Sequence, residues 1–295
     1  MLLQEPAPGL SWTYVWLAAG GLLLALAALA FAYLLVRSRW TWFGRLMRHP
    51  LLEAIDRRLN ARVPRLRAFL QRRLTMRQWH GLALTVAVVV LFGCVYAFAL
   101  ITESWTDEAA LYRLDQRVYL WLMDAVHPRQ TALMRSVTFF GNARTITVLG
   151  LLTAAYLLYR RYWWRVIALV LAVGVGAAIM EGLKWLFARS RPDDPVYQAT
   201  GHSFPSGHAF AAVTFYGFLI YLVWRMVRQD AVRLVATAGL VMLIVGVGVS
   251  RVLLRVHWAS DVAGGLTVGL AWLVCSLVLT RALRASRSPA GPDAR

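Results

Sequence analysis

The sequence predicts an all-α, polytopic membrane bundle: a six-helix core preceded by one extra N-terminal transmembrane helix. Three observations predict it. The chain is 59% hydrophobic, with a mean hydropathy of +0.56 over 295 residues. Its longest apolar runs approach the ~20 residues that a spanning helix needs. Its charge of +18, from 32 basic and 14 acidic residues, is gathered between those runs. In a soluble protein such an excess would suggest nucleic acid, but here it first fits basic cytoplasmic loops. Membrane lipids are therefore the expected partner, and nucleic acid is not. Cys94 and Cys275 each fall inside an apolar run and read as packed thiols, which excludes a disulfide framework or a zinc site.

Seven spans follow in order, at 12–36, 81–101, 138–158, 166–184, 206–224, 234–250 and 259–280. Residues 37–80 hold twelve arginines against only Glu53 and Asp56, and the connections at 160–165 and 225–233 are also basic, as is the tail after Arg281. An alternating path puts these four segments on one side, which the positive-inside rule makes the cytoplasm. The N-terminus is then outside, and the lack of cations in its first eleven residues argues against a cleaved signal peptide. Trp12, Trp105, Trp185 and Trp258 fall near outer ends, while Trp40, Trp79, Trp163, Trp164 and Trp224 fall near inner ends, as an aromatic belt requires.

Two connecting segments read as helices lying on the membrane. In 51–74, Leu52, Ile55, Leu59, Val63, Leu66, Leu70 and Leu74 recur every three or four positions against a face rich in arginine. That pattern suits anionic inner-leaflet lipid. On the outer side, residues 104–126 carry acids in the first turn and an apolar stripe of Leu111, Leu114, Val118 and Leu122. The organisation expected is a span with a basic amphipathic segment over 1–80, a six-helix core over 81–281, and a disordered cytoplasmic tail over 282–295.

The same topology gathers three polar clusters at outer ends. Lys184 and Arg191 flank the fourth span, Ser206, Gly207 and His208 open the fifth, and Arg251, His257 and Asp261 bridge the sixth and seventh. Guanidinium groups grip phosphate oxygens through two parallel hydrogen bonds. A helix N-terminus at Ser206 and Gly207 offers free backbone N–H groups to an anion, and Pro205 suits such a start. His257 and Asp261 are four apart, so on a helix they would share a face, with the carboxylate orienting the imidazole. His208 remains free to move a proton. Lys184 is the only lysine among 31 arginines, which suggests a place that needs a compact ammonium. Glu181 is placed to pair with Lys184 across one turn. Arg189 and Arg255 read as pocket neighbours or as snorkelling anchors, and His202 as a loop residue without a catalytic role.

The segments "KWLFARSRP", "PSGH" and "SRVLLRVHWASD" together resemble the three-part signature of the type 2 phosphatidic acid phosphatase family, which is related to vanadium haloperoxidases. Eleven identities match at the family's internal spacings and in its order, within roughly residues 81–281. The resemblance implies that His257 attacks phosphorus and forms a phosphohistidine, with Asp261 holding its ring. It implies that His208 protonates the leaving oxygen and then helps activate water. Lys184, Arg191, Ser206, Gly207 and Arg251 would bind the phosphoryl oxygens, with no metal or cofactor. The substrate implied is a lipid phosphate or diphosphate: undecaprenyl diphosphate, phosphatidylglycerol phosphate or phosphatidate. A bacterial inner membrane is the expected location, with the site facing the periplasm or exterior. One alternative is a phosphotransferase that passes phosphate from a lipid diphosphate to another lipid. A further alternative is a non-enzymatic transporter or scaffold, in which His257 would be dispensable. Seven spans argue against a haloperoxidase.

Overall fold

Within hydrocarbon, a helix satisfies every backbone N–H and C=O internally, so each apolar run winds into one. The computed structural model describes residues 79–103, 110–125, 128–197 and 199–287. The elements are α1 (Trp79–Glu103), α2 (Ala110–Ala125), α3 (Pro128–Phe139), α4 (Ala143–Tyr159), α5 (Trp163–Phe187), α6 (Gly207–Met226), α7 (Asp230–Leu253) and α8 (Ala259–Arg287). Six helical stretches among the described residues are long and apolar enough to cross a membrane. They correspond to the six later expected spans. The expected span at 12–36, the basic segment at 51–74 and residues 104–109 lie outside the described residues.

Two boundaries differ from expectation. The span predicted at 138–158 is a longer stretch, Arg129–Tyr159, built from α3 and α4 with a turn between them. Pro128 occupies the first position of α3, where its missing N–H costs nothing. Asn142 caps α4 by accepting the Arg144 N–H at 2.9 Å, and the turn holds Gly141. α8 also continues to Arg287, past the end at 280 that hydropathy suggests.

α6 is the central helix. Ala209, Phe210, Ala212, Val213, Phe215, Tyr216, Phe218 and Leu222 are all buried along it, so its apolar surface is covered on every side, chiefly by α7 and α8. The Tyr216 hydroxyl donates to the Phe140 carbonyl at 2.7 Å and so ties the α3–α4 turn to this helix. α5 contains a π segment, Val170–Val175. The Leu171 carbonyl accepts the Gly176 N–H five residues on, and also the Trp272 indole N–H at 2.9 Å. A side chain of α8 thereby satisfies part of the widened turn, a usual condition for such a bulge.

α8 approaches the loop before α6 closely enough to exclude a side chain. A Cβ on Gly265 would lie 2.4 Å from the Ser206 carbonyl oxygen, so only glycine fits there. This approach and the N-terminal start of α6 set the positions of the polar clusters.

Candidate active site

The clusters converge at one end of the bundle. α5 stops at Ala188, whose left-handed conformation (φ 44°) closes the helix with its N–H on the Lys184 carbonyl at 2.9 Å. The chain then runs extended. Arg189 reaches Asp261 and Arg191 reaches His257 from this segment. At the far end of α7, Arg255 takes a left-handed conformation (φ 55°) and turns the chain toward His257.

His257 lies in this connection, and α8 begins only at Ala259. The expectation that His257 and Asp261 share a helical face is therefore corrected. Asp261 sits in the first turn of α8 and reaches back. Its Oδ2 accepts the Trp258 N–H at 2.9 Å and lies 3.4 Å from His257 Nδ1. This is the reciprocal half of a capping box, turned to hold an imidazole. Ser203 completes the cradle by donating its hydroxyl to the same carboxylate oxygen, and its Oγ is 3.4 Å from His257 Nδ1.

Arg191 fixes the other ring nitrogen. Its Nη1 is 3.3 Å from His257 Nε2 and donates to the Val256 carbonyl at 2.7 Å, while Nε donates to Gly201 at 3.0 Å. A guanidinium has no acceptor, so Nε2 presents a lone pair and the ring proton sits on Nδ1 against Asp261. Burial pushes the His257 pKa down to about 4, opposed by the hydrogen bond and charge of Asp261. The histidine is thus neutral at pH 7, as a nucleophile must be. Burial and the neighbouring Arg251 also lower the pKa of Arg191, though a guanidinium stays charged.

The remaining predicted residues surround this pair. Ser206 is the N-cap of α6, and its N–H donates to the Asp261 carbonyl at 2.9 Å. Its Oγ is buried with no hydrogen-bond partner among the described residues, as is Arg251 Nε. Gly207 opens the helix beside Lys184, whose Nζ would lie 3.5 Å from a Cβ at that position. Lys184 pairs with Glu181 at 3.7 Å, as the spacing suggested. His208 follows in the first turn of α6, close enough to Arg251, His257, Lys184 and Arg191 to feel their charges. Gly141 packs against it, 3.3 Å from the His208 Cβ if a Cβ is added. Orphaned donors converging with three cations are a receptor for a multiply charged oxyanion.

Sequence reasoning missed the supporting layer. Arg189, read as a pocket neighbour or a snorkelling anchor, has a side chain only 12% exposed and forked: Nη1 donates to Asp261 Oδ1 and to Ser260 Oγ, each at 2.7 Å, and Nη2 to Asp115 Oδ2 at 3.0 Å. Asp115 lies on α2, 2% exposed, and also accepts the Ser260 N–H at 3.0 Å and the Ser260 hydroxyl. In α2 it is Leu114, expected in the apolar stripe, that is 42% exposed. Leu111, Asp115, Val118 and Leu122 follow helical spacing, so an acid on the apolar face was the available signal. Arg251 is held by Thr138 of α3 at 2.9 Å and by the Tyr197 hydroxyl, neither of which the sequence singled out. Arg255 pairs at 3.7 Å with Asp194 at the surface, and His202 stacks edge-on against Trp185.

Residues 165–285 match the PAP2 superfamily, and that stretch contains Lys184, Arg191, Ser206, Gly207, His208, Arg251, His257 and Asp261. Over that stretch the chain is similar to the PAP2 superfamily. Phosphatidylglycerophosphatase B of Bacillus subtilis (strain 168) is 26% identical over 180 residues, covering 60% of this chain and 88% of the relative. Putative undecaprenyl-diphosphatase YbjG of Escherichia coli (strain K12) is 29% identical over 166 residues, covering 53% and 78%. The crystal structure of the first transmembrane PAP2 type phosphatidylglycerolphosphate phosphatase from Bacillus subtilis superposes with a TM-score of 0.60 at 22% identity. It covers 68% of this chain and 98% of that one, which shows a shared fold. Six apolar helices among the described residues and the fold shared with that transmembrane structure make this chain an integral membrane protein, and both curated relatives are named for phosphatase activity.

Proposed function

We propose that this protein removes phosphate from a lipid phosphate or diphosphate at the outer face of the membrane, through a phosphohistidine on His257. The observation that carries the reading is the polarised imidazole: Nδ1 faces Asp261 at 3.4 Å, and the Nε2 lone pair faces the guanidinium of Arg191 at 3.3 Å. A phosphoryl group gripped by Arg191 is delivered to that lone pair.

In the first step the Nε2 lone pair forms the P–N bond while the P–O bond to the lipid breaks. His208 gives its proton to the departing oxygen. Lys184, Arg191 and Arg251, with the Ser206 hydroxyl and the Gly207 N–H, neutralise the equatorial oxygens as charge develops. In the second step a water oxygen attacks phosphorus, His208 takes its proton, and the P–N bond breaks to release phosphate.

A lipid substrate is favoured by what surrounds the cations. Trp185 and Leu186, next to Lys184, are 75% and 73% exposed, a placement that suits hydrocarbon and not water. The phosphate then enters from the interface while the tail stays in the bilayer. The relatives' names supply the substrate class to test: phosphatidylglycerol phosphate and undecaprenyl diphosphate, with phosphatidate alongside. The outer placement rests on the basic segments at 160–165 and 225–233, which occupy the end of the bundle opposite the site.

The test is phosphate release by the detergent-purified chain from each of these three lipids, with His257→Ala in parallel. The reading predicts release from at least one lipid and a loss of more than about 10³-fold in the variant, the scale set by removing a nucleophile that acts with its partners. Folded protein that releases phosphate from none of them would contradict it. Label appearing on a second lipid would instead favour the phosphotransferase.

A further inference from the structure

A second basic site lies at the opposite end of the bundle. A cavity of about 230 Å³ opens between the first turn of α5, the last turns of α6 and the last turns of α8. Arg165, Arg225, Arg281 and Arg284 line it, together with Trp164 and Tyr221, and no acid does among the described residues. Arg225 is seventeen residues along α6 from His208, about 25 Å at the rise of a helix, so one ligand headgroup cannot reach both sites.

Arginines at an inner membrane interface commonly anchor a helix by snorkelling, and the α6 and α8 residues sit at C-termini, where a cation is favourable. Arg165 breaks that pattern. It lies in the first turn of α5, where the helix dipole disfavours a cation, and the helix has no side-chain cap. Its guanidinium rests over Tyr162, 4.2 Å from the ring centroid, yet Nη1 is buried with no hydrogen-bond partner among the described residues. A snorkelling arginine points its donors to water, whereas this one turns a donor inward, and its side chain lines a cavity shared with three more guanidiniums. Such donors match the oxygens of a phosphate, and a basic pocket between helix ends takes the headgroup of an anionic phospholipid. Trp164 and Tyr221 suit the boundary between that headgroup and its chains.

We propose that this cavity is a binding site for the phosphate of an anionic phospholipid, separate from the catalytic pocket and independent of what that pocket hydrolyses. The experiment titrates the detergent-purified full chain with dioleoylphosphatidylglycerol, with dioleoylphosphatidylcholine, and with inorganic phosphate. Bound lipid is counted by native mass spectrometry and the unfolding temperature is followed in parallel. Wild type should retain phosphatidylglycerol over phosphatidylcholine and unfold at a higher temperature with it. Arg225→Gln/Arg281→Gln should weaken that retention roughly 30-fold, at the scale of two interfacial arginines, while phosphate release at the other end stays within about twofold. Arg225→Gln alone, an exposed position that folding tolerates, should lose part of it. Equal retention in wild type and the variants, or no preference for the anionic lipid, would overturn the proposal. Inorganic phosphate reproducing the whole shift would overturn the lipid assignment in favour of a free-phosphate site.

Discussion

Arg189 and Asp115 meet Ser260 and Asp261 at the start of α8, and that contact decides how firmly His257 is held. Asp261 reaches His257 from a carboxylate whose other oxygen is bound by Arg189, and Arg189 is braced in turn by Asp115. Removing one partner of a buried pair leaves a charge uncompensated, so Asp115→Ala should cost about 3–5 kcal/mol in unfolding experiments. Arg189→Lys should lower kcat by up to about 10²-fold with KM within about twofold. An ammonium cannot fork between two carboxylates, and a misplaced nucleophile slows the chemical step. A proportional rise in KM with kcat unchanged would make Arg189 a substrate-binding group instead.

The same scale carries the pH dependence. His257 titrates near 6.5 when unfolded and at about 4 when folded, so the unfolded chain takes up its proton first as pH falls. Its contribution is fully present above pH 6.5 and is lost as pH drops toward 4, in total about 3 kcal/mol. The unfolding temperature of wild type should therefore fall more between pH 6.5 and 4 than that of His257→Gln. Equal slopes would remove His257 as the source. The signature residues were legible in the sequence because chemistry fixes their spacing. Ser203, Tyr197 and Thr138 were not, because each reaches its partner across the fold from a segment with no pattern of its own.

At the scale of elements, the decisive packing is α8 against the loop that opens α6. Gly265→Ala would place a methyl group 2.4 Å from a backbone oxygen, and the cap of α6 would have to move. We expect a destabilisation of about 1–3 kcal/mol from such overpacking, with phosphate release reduced because Ser206 and Gly207 shift together. Gly93 of α1 has open space around it among the described residues, so Gly93→Ala should be neutral or mildly stabilising and serves as the control in the same unfolding assay. Apolar runs revealed α1, α5, α6 and α7 to within a few residues, and α8 except for its last turns. α3 escaped because Arg129, Gln130 and Arg135 keep its hydropathy low, although Pro128 and the Gly141–Asn142 pair marked its two ends. The π segment escaped as well, since what stabilises it is an indole arriving from α8.

At the scale of the whole molecule, the two proposed phosphate-binding sites lie at opposite ends of one bundle, with α6 joining them. In a Cys94→Ser/Cys275→Ser background, Asp193→Cys should react with a membrane-impermeant maleimide on intact spheroplasts, and Arg228→Cys only after lysis. The reverse pattern would invert the topology. That the polar clusters share one end of the bundle was readable from the sequence, because the alternating path of the spans put them there. Its inner order was not, because His257 meets Asp261 through a turn and a cap, and helical spacing alone misrepresents that contact.

The most direct test of the central claim is to follow phosphorus itself. A lipid substrate carrying labelled phosphate, mixed with the purified chain and quenched in alkali during turnover, should leave label on the protein that is stable to base and labile to acid. That label should map to the peptide containing His257 and be absent in His257→Asn. Turnover without any protein-bound label, or label persisting in His257→Asn, would contradict the phosphohistidine mechanism.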